Sequence, residues 1–294
     1  MTGSIFSFRS LVYLMYAVVL TVVLLYVRFP TEKFKTYCEY RLEQVLGNGR
    51  CTIAEIGYYF PAAIELRKVK MGQPAGDINS GVLLDRLKFS PALKGFFTSW
   101  VVDGELYEGA FQAILAVQFK EKIFQLKAIK LEDADISTLT KSIPSFGREI
   151  TGLLTFSGEY RAKFDQPKNG LGSGSVYFSA GSVPLVRQIL TLDSIDFEEV
   201  KAIWKYDDNK LILTEGTLRG QQLDADFAGT VETPFLPPEG GLSINGSLLP
   251  QEKFLQDKPQ IERLVQRLMK QYKKSAVPFR VGGTLNKPTF RLSM

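Results

Sequence analysis

Ile150-Thr151-Gly152-Leu153-Leu154-Thr155-Phe156-Ser157-Gly158-Glu159-Tyr160 is the stretch that decides the fold class. Ile150, Gly152, Leu154, Phe156, Gly158 and Tyr160 recur every second residue, so on an extended chain they share one side. Period two with one apolar and one wetter face is the habit of an antiparallel strand. The same period returns in Leu223, Ala225, Phe227, Gly229 and Val231. Working outward, strand-like runs cover 51–58, 64–71, 81–89, 99–107, 111–119, 123–129, 150–164, 174–180, 200–206, 210–218, 222–231 and 241–248. Asp103-Gly104, Asp207-Asp208-Asn209 and Asn245-Gly246 offer tight-turn chemistry between them. Glycine-bracketed strands at 240–246 and 282–285 add to an impression of a structure that grows by adding similar strands in a row. The expected fold is therefore mainly β: a long, meandering, curled antiparallel sheet with a few short helices.

Helical spacing is confined to a few places. From Thr31 to Leu46, the residues Phe34, Tyr37, Cys38, Leu42, Val45 and Leu46 keep to one face, and Gly47-Asn48-Gly49 ends the run. Short helices are expected at Ser137–Ile143, closed by Pro144, and at Pro184–Leu192. A stronger one runs from Pro259 to Lys274, with Asp257 as cap and Ile261, Leu264, Val265, Leu268, Met269 and Tyr272 at helical spacing. Its basic side (Arg263, Arg267, Lys270, Lys273, Lys274) suits a membrane surface or partner. The preferred reading is that the helix lays its apolar stripe across the sheet and leaves the basic side in water.

Leu11 to Phe29 is a nearly unbroken apolar run with no charge between Arg9 and Arg28. Roughly 19 helical residues span about 28 Å, enough for the hydrocarbon core of a bilayer. A cleaved secretory signal is the rival reading, but Val27-Arg28-Phe29-Pro30 lacks the small residues of a cleavage site. The expectation is a tail over 1–10, a transmembrane helix over 11–29 and a β-rich domain over 30–294. Arg28, Lys33, Lys35 and Arg41 outnumber Arg9, which on charge alone keeps the domain in the cytoplasm; that rule weakens for long domains.

The composition excludes much chemistry. Of 294 residues none is histidine, which removes the commonest general base and metal ligand. Cys38 and Cys51 are the two cysteines, too few for a structural zinc site. In an oxidising compartment they can form a disulfide; the alternative is two buried free thiols. Gly170 to Ser175 is glycine-rich but lacks the lysine of a phosphate loop, and reads as a hairpin connection. Glu132-Asp133, Glu198-Glu199 and Asp207-Asp208 read as turn or element-start residues. Trp100, Trp204 and the 21 phenylalanines read as core or strand-face residues. The net charge of +5 comes from mixed charges rather than a patch, so no nucleic-acid partner is expected. No catalytic residue, cofactor or metal site is assigned, and the chain is not expected to be an enzyme.

The order of features is more specific: one spanning helix, a juxtamembrane helix, Tyr59-Phe60-Pro61, then Ile64-Glu65-Leu66-Arg67-Lys68-Val69. A glycine-punctuated β region follows, then a basic helix and Val277-Pro278-Phe279-Arg280-Val281-Gly282-Gly283-Thr284-Leu285-Asn286-Lys287-Pro288-Thr289-Phe290-Arg291-Leu292. This pattern resembles the type II secretion system protein N family and, more distantly, AsmA-type envelope proteins. The resemblance implies a bacterial inner-membrane anchor, a cytoplasmic N-terminus and a periplasmic domain, reversing the charge count. It also implies a taco-like β-groove. Two functions follow as expectations: a non-enzymatic component of the type II secretion system, working beside other secretion or envelope proteins, or a groove that binds and transfers phospholipid.

Overall fold

The computed structural model describes residues 8–28, 30–46, 50–59, 62–72, 81–92, 95, 98–142, 149–189, 192–232, 240–256, 259–272, 276–284 and 287–292. Two helices come first, α1 (Phe8–Val27) and α2 (Thr31–Leu46). Six strands follow: β1 (Arg50–Tyr59), β2 (Ala63–Gly72), β3 (Gly81–Pro91), β4 (Ser99–Leu106), β5 (Gly109–Gln118) and β6 (Ile123–Asp135). After α3 (Ile136–Ser142) come β7 (Thr151–Lys163), β8 (Leu171–Ile189), β9 (Leu192–Asp207), β10 (Lys210–Arg219), β11 (Leu223–Glu232) and β12 (Leu242–Pro250). The helices α4 (Glu252–Gln256) and α5 (Pro259–Tyr272) precede β13 (Val277–Gly283) and β14 (Pro288–Leu292).

Among the described residues the strands form one 14-stranded sheet in which each pairs with the strand before it, always antiparallel. β1 and β14 do not pair, so the sheet stays open. At about 4.8 Å between strands it extends roughly 60 Å from edge to edge. The register carries the alternation of the sequence across the strands. One row runs Ile129, Gly158, Gly174, Trp204, Leu213, Gly229, Ile244, Val281 and Phe290, one residue from each strand of β6 to β14. A row of the opposite face runs Glu159, Ser173, Lys205, Ile212, Thr230 and Ser243. Along these rows one face of the sheet is apolar and the other is largely polar.

The apolar face is packed at three places. α2 sets Cys38 and Leu42 against Cys51, Ile53, Leu66 and Val69. α3 brings Leu139 to Tyr107, Leu131 and Ala134, with Val82, Leu154 and Phe156 around them. α5 buries Val265, and packs Met269, on Leu223, Ala225, Leu248, Val277 and Phe279. Although α3 follows β6, it touches both β7 and β3. A helix of 7 residues reaches strands four apart only if the sheet curls toward it, so the apolar face is the concave one.

Several expectations are corrected. The segment expected as a helix over Pro184–Leu192 is strand through Ile189, pairing with β9, and Leu192 opens β9. Asp103-Gly104 and Asn245-Gly246 lie inside β4 and β12 rather than at turns. The hairpin connection expected over 170–175 gives way to strand, because β8 begins at Leu171. Glu132-Asp133 and Glu198-Glu199 sit within β6 and β9, whereas Asp208 and Asn209 do form a turn, both with positive φ. α1 is a 20-residue helix whose side chains from Leu11 to Leu20 are largely exposed. Among the described residues, however, no helix is long and apolar enough to cross a membrane. The transmembrane helix expected over 11–29 is therefore unsupported; the side chains of residues 22 and 25–27, and all of 29, lie outside the described residues. So do Gly47-Asn48-Gly49, Pro144, Asp257 and the closing Lys273 and Lys274 of the basic helix.

Candidate functional site: an apolar trough

Between the three helices the concave face is left half-covered. Leu115, Leu126, Val176, Leu213, Phe227 and Ile244 are neither buried nor fully exposed, although their neighbours in the register are apolar too. At about 3.3 Å per residue, ten-residue strands make this trough roughly 33 Å long, and a bilayer leaflet's acyl layer is about 15 Å. An apolar concavity of that size is the kind of surface that soluble proteins cover with a ligand or a partner.

Over β7 to β9 the upper end of the trough is capped by its own loop. The turn after β7 folds over the face, and the Tyr160 and Tyr206 hydroxyls donate hydrogen bonds to the carbonyls of Pro167 and Lys168, the latter at 2.6 Å. Below it lies an aromatic cluster. Phe124 tilts against Tyr160 and Phe164, Tyr160 against Tyr206, and Phe156 stacks on Trp204 with centroids 5.2 Å apart. Glycines make the space for these rings. A Cβ at Gly158 would lie 2.6 Å from Trp204 Cζ2, and one at Gly172 3.2 Å from Cζ3, so the indole lies flat over two neighbouring strands.

Trp204 itself is 6% exposed, and among the described residues its Nε1 has no hydrogen-bond partner. A buried donor left unpaired costs about 1–3 kcal/mol. Sequence reading places this tryptophan on a strand face; its orphaned N–H has no signature in the chain, because it depends on the partners that the sheet fails to bring.

The two edges of the sheet differ. α2 runs beside β1, and residues four apart on it reach the edge strand: Lys35 Nζ donates to the Ala54 carbonyl, while Glu39 and Glu43 accept from the N–H groups of Ile53 (2.8 Å) and Cys51 (3.2 Å). These contacts occupy three of the backbone groups at the start of β1 that an edge strand otherwise offers to another chain. No comparable cover lies on β14 among the described residues.

The structure brings Cys38 and Cys51 together in the packing under α2, and both are free thiols. Burial, helped by the Glu39 and Glu43 carboxylates, pushes the Cys51 thiol up to about 11; burial also raises Cys38. Both shifts favour the neutral thiol over the nucleophilic thiolate. On the convex face the charges are paired along the sheet, as in Arg86–Glu105 (2.6 Å), Arg67–Glu65 (2.6 Å) and Arg219–Asp226 (2.9 Å). A shallow hollow of about 470 Å³ over β6–β8 is lined by Gln125, Lys127, Glu159, Arg161 and Ser173 among others, and carries both signs of charge. Comparison with protein-family models, with curated proteins and with solved structures returned no match.

Proposed function

We propose that this chain is a membrane-tethered, non-enzymatic carrier whose curled sheet shelters the acyl chains of a phospholipid. The observation that carries the reading is the continuous apolar row across β6–β14, left half-covered between α3 and α5. Helices fill the trough at its lower corners and a turn caps its upper end over β7 to β9, so what remains suits a flexible hydrocarbon chain. The tether belongs to the same proposal. It rests on the sequence, the uncharged run from Ser10 to Val27, and on the exposed apolar side chains of α1, although the described residues of α1 do not by themselves make a membrane-crossing helix. With the N-terminus in the cytoplasm of a bacterium, the sheet stands in the periplasm, where Cys38 and Cys51 have the redox setting to pair.

The test is native mass spectrometry of the full chain released from detergent micelles. Phospholipid adducts are expected on the wild type. Leu213→Asp, in the trough, should reduce them by about tenfold or more, and Leu249→Asp, on the convex face, should leave them unchanged. Absence of adducts, or equal retention by both variants, contradicts the proposal. A second reading, a structural component of a secretion machine, is favoured by the uncovered edge at β14, which has the backbone groups to accept a partner's strand.

A further inference from the structure

The trough is apolar, yet its central aromatic cluster holds one polar group without an answer. Trp204 Nε1 is buried and, among the described residues, unpartnered, while the other polar tips of the cluster are satisfied: Tyr160 by Pro167 and Tyr206 by Lys168 and Asn209. Nothing in the packing requires the nitrogen. Phenylalanine would stack on Phe156 and cover Gly158 and Gly172 with a plain ring, so a tryptophan whose N–H is idle points to an acceptor brought from outside.

The edge of the indole that carries Nε1 also carries Cζ2, the atom closest to Gly158. That edge faces away from Gly172 and the upper end, along β7 and β8 toward Phe156 and Val176. A molecule whose chain lies on that stretch and whose oxygen sits one ring's width from the turn meets both needs. We infer that Trp204 is the hydrogen-bond donor that holds the acyl carbonyl of a long-chain amphiphile seated in the trough. The inference rests on the trough reading above and adds what that reading lacks, a polar determinant for where the ligand stops.

The acceptor chemistry is a carbonyl or carboxylate oxygen attached to a long alkyl chain, found in both phospholipid esters and free fatty acids. A plain hydrocarbon or an ether-linked chain does not offer it at that place. The ring cluster covers the nitrogen, so entry of the acceptor displaces part of the Phe156 packing, and the indole reports the event.

The experiment uses the full chain held in amphipol, with Trp100→Phe so that Trp204 is the sole tryptophan. Three probes are titrated: palmitoyl lysophosphatidylcholine, its ether-linked hexadecyl analogue, and palmitate. The expected result is that the ester binds about tenfold more tightly than the ether, the indole ¹H–¹⁵N resonance moving downfield with the ester and staying in place with the ether. Adding Trp204→Phe should abolish the difference while keeping the sheet's circular dichroism. A palmitate affinity equal to the ester's and equally sensitive to Trp204→Phe assigns the site to acyl oxygen in general; ester binding without palmitate binding assigns it to lipid esters. Equal binding of ester and ether with an unmoved indole resonance overturns the inference and leaves the trough reading standing. Failure of every probe to bind overturns both.

Discussion

Gly158 and Gly172 stand inside β7 and β8 beneath the Trp204 indole. Glycine is poor in a strand interior because it adds no side chain and costs entropy. Here its value is the missing Cβ, which lets Trp204 lie flat across β8 toward β7. Gly158→Ala should therefore lower stability by about 1–3 kcal/mol through overpacking, read as a fall in the urea midpoint with an unchanged slope. An unchanged midpoint would mean that the indole is free to move aside. The same reasoning explains the two turns that the structure replaces with strand. Asp103-Gly104 and Asn245-Gly246 look like hairpin tips, but those glycines admit neighbours across the strand: a Cβ would come within 2.7 Å of the Arg86 carbonyl at Gly104, and 2.6 Å of Phe279 at Gly246. The real reversal after β4 is at Tyr107 and Glu108, with φ of 50° and 65°, a left-handed backbone in residue types that give no warning of it.

At the scale of elements, the period-two pattern is enough to place nearly every strand, and helical spacing is enough for α2, α3 and α5. Strand length is harder to read. β6 continues past Ile129 because Ala128 and Asp133, with φ of 48° and 54°, take up register shifts that break the alternation without ending the strand. β8 likewise shifts register and runs to Ile189 through a segment whose proline and apolar spacing suggest a helix. The role of α2 is invisible for a different reason: Glu39 and Glu43 look like solvated charges, and only the fold sets them opposite the N–H groups of β1. Replacing both by alanine leaves those groups without a partner. The double variant should show faster amide exchange at Cys51 and Ile53 and a stability loss of about 1–3 kcal/mol per bond. Unchanged exchange at these two amides would mean that α2 does not guard the edge.

At the scale of the whole molecule the described residues make an amphipathic ribbon: fourteen strands in sequence order, polar outside, apolar inside, partly guarded at one edge and curled around space that the helices fill only in part. That architecture follows from local pairing of neighbours and is legible from alternation alone. Its use is not, since an apolar face reads the same whether core, helix or ligand covers it. The most direct measurement is photocrosslinking of the full chain in membranes containing phospholipid with a diazirine in its acyl chain, with adducts mapped by mass spectrometry. A lipid-sheltering trough gives adducts beyond α1 that fall on concave-face residues such as Val176, Leu213 and Ile244. Adducts confined to residues 8–27, or spread over the convex face at Tyr177, Ile203 and Leu249, would contradict it.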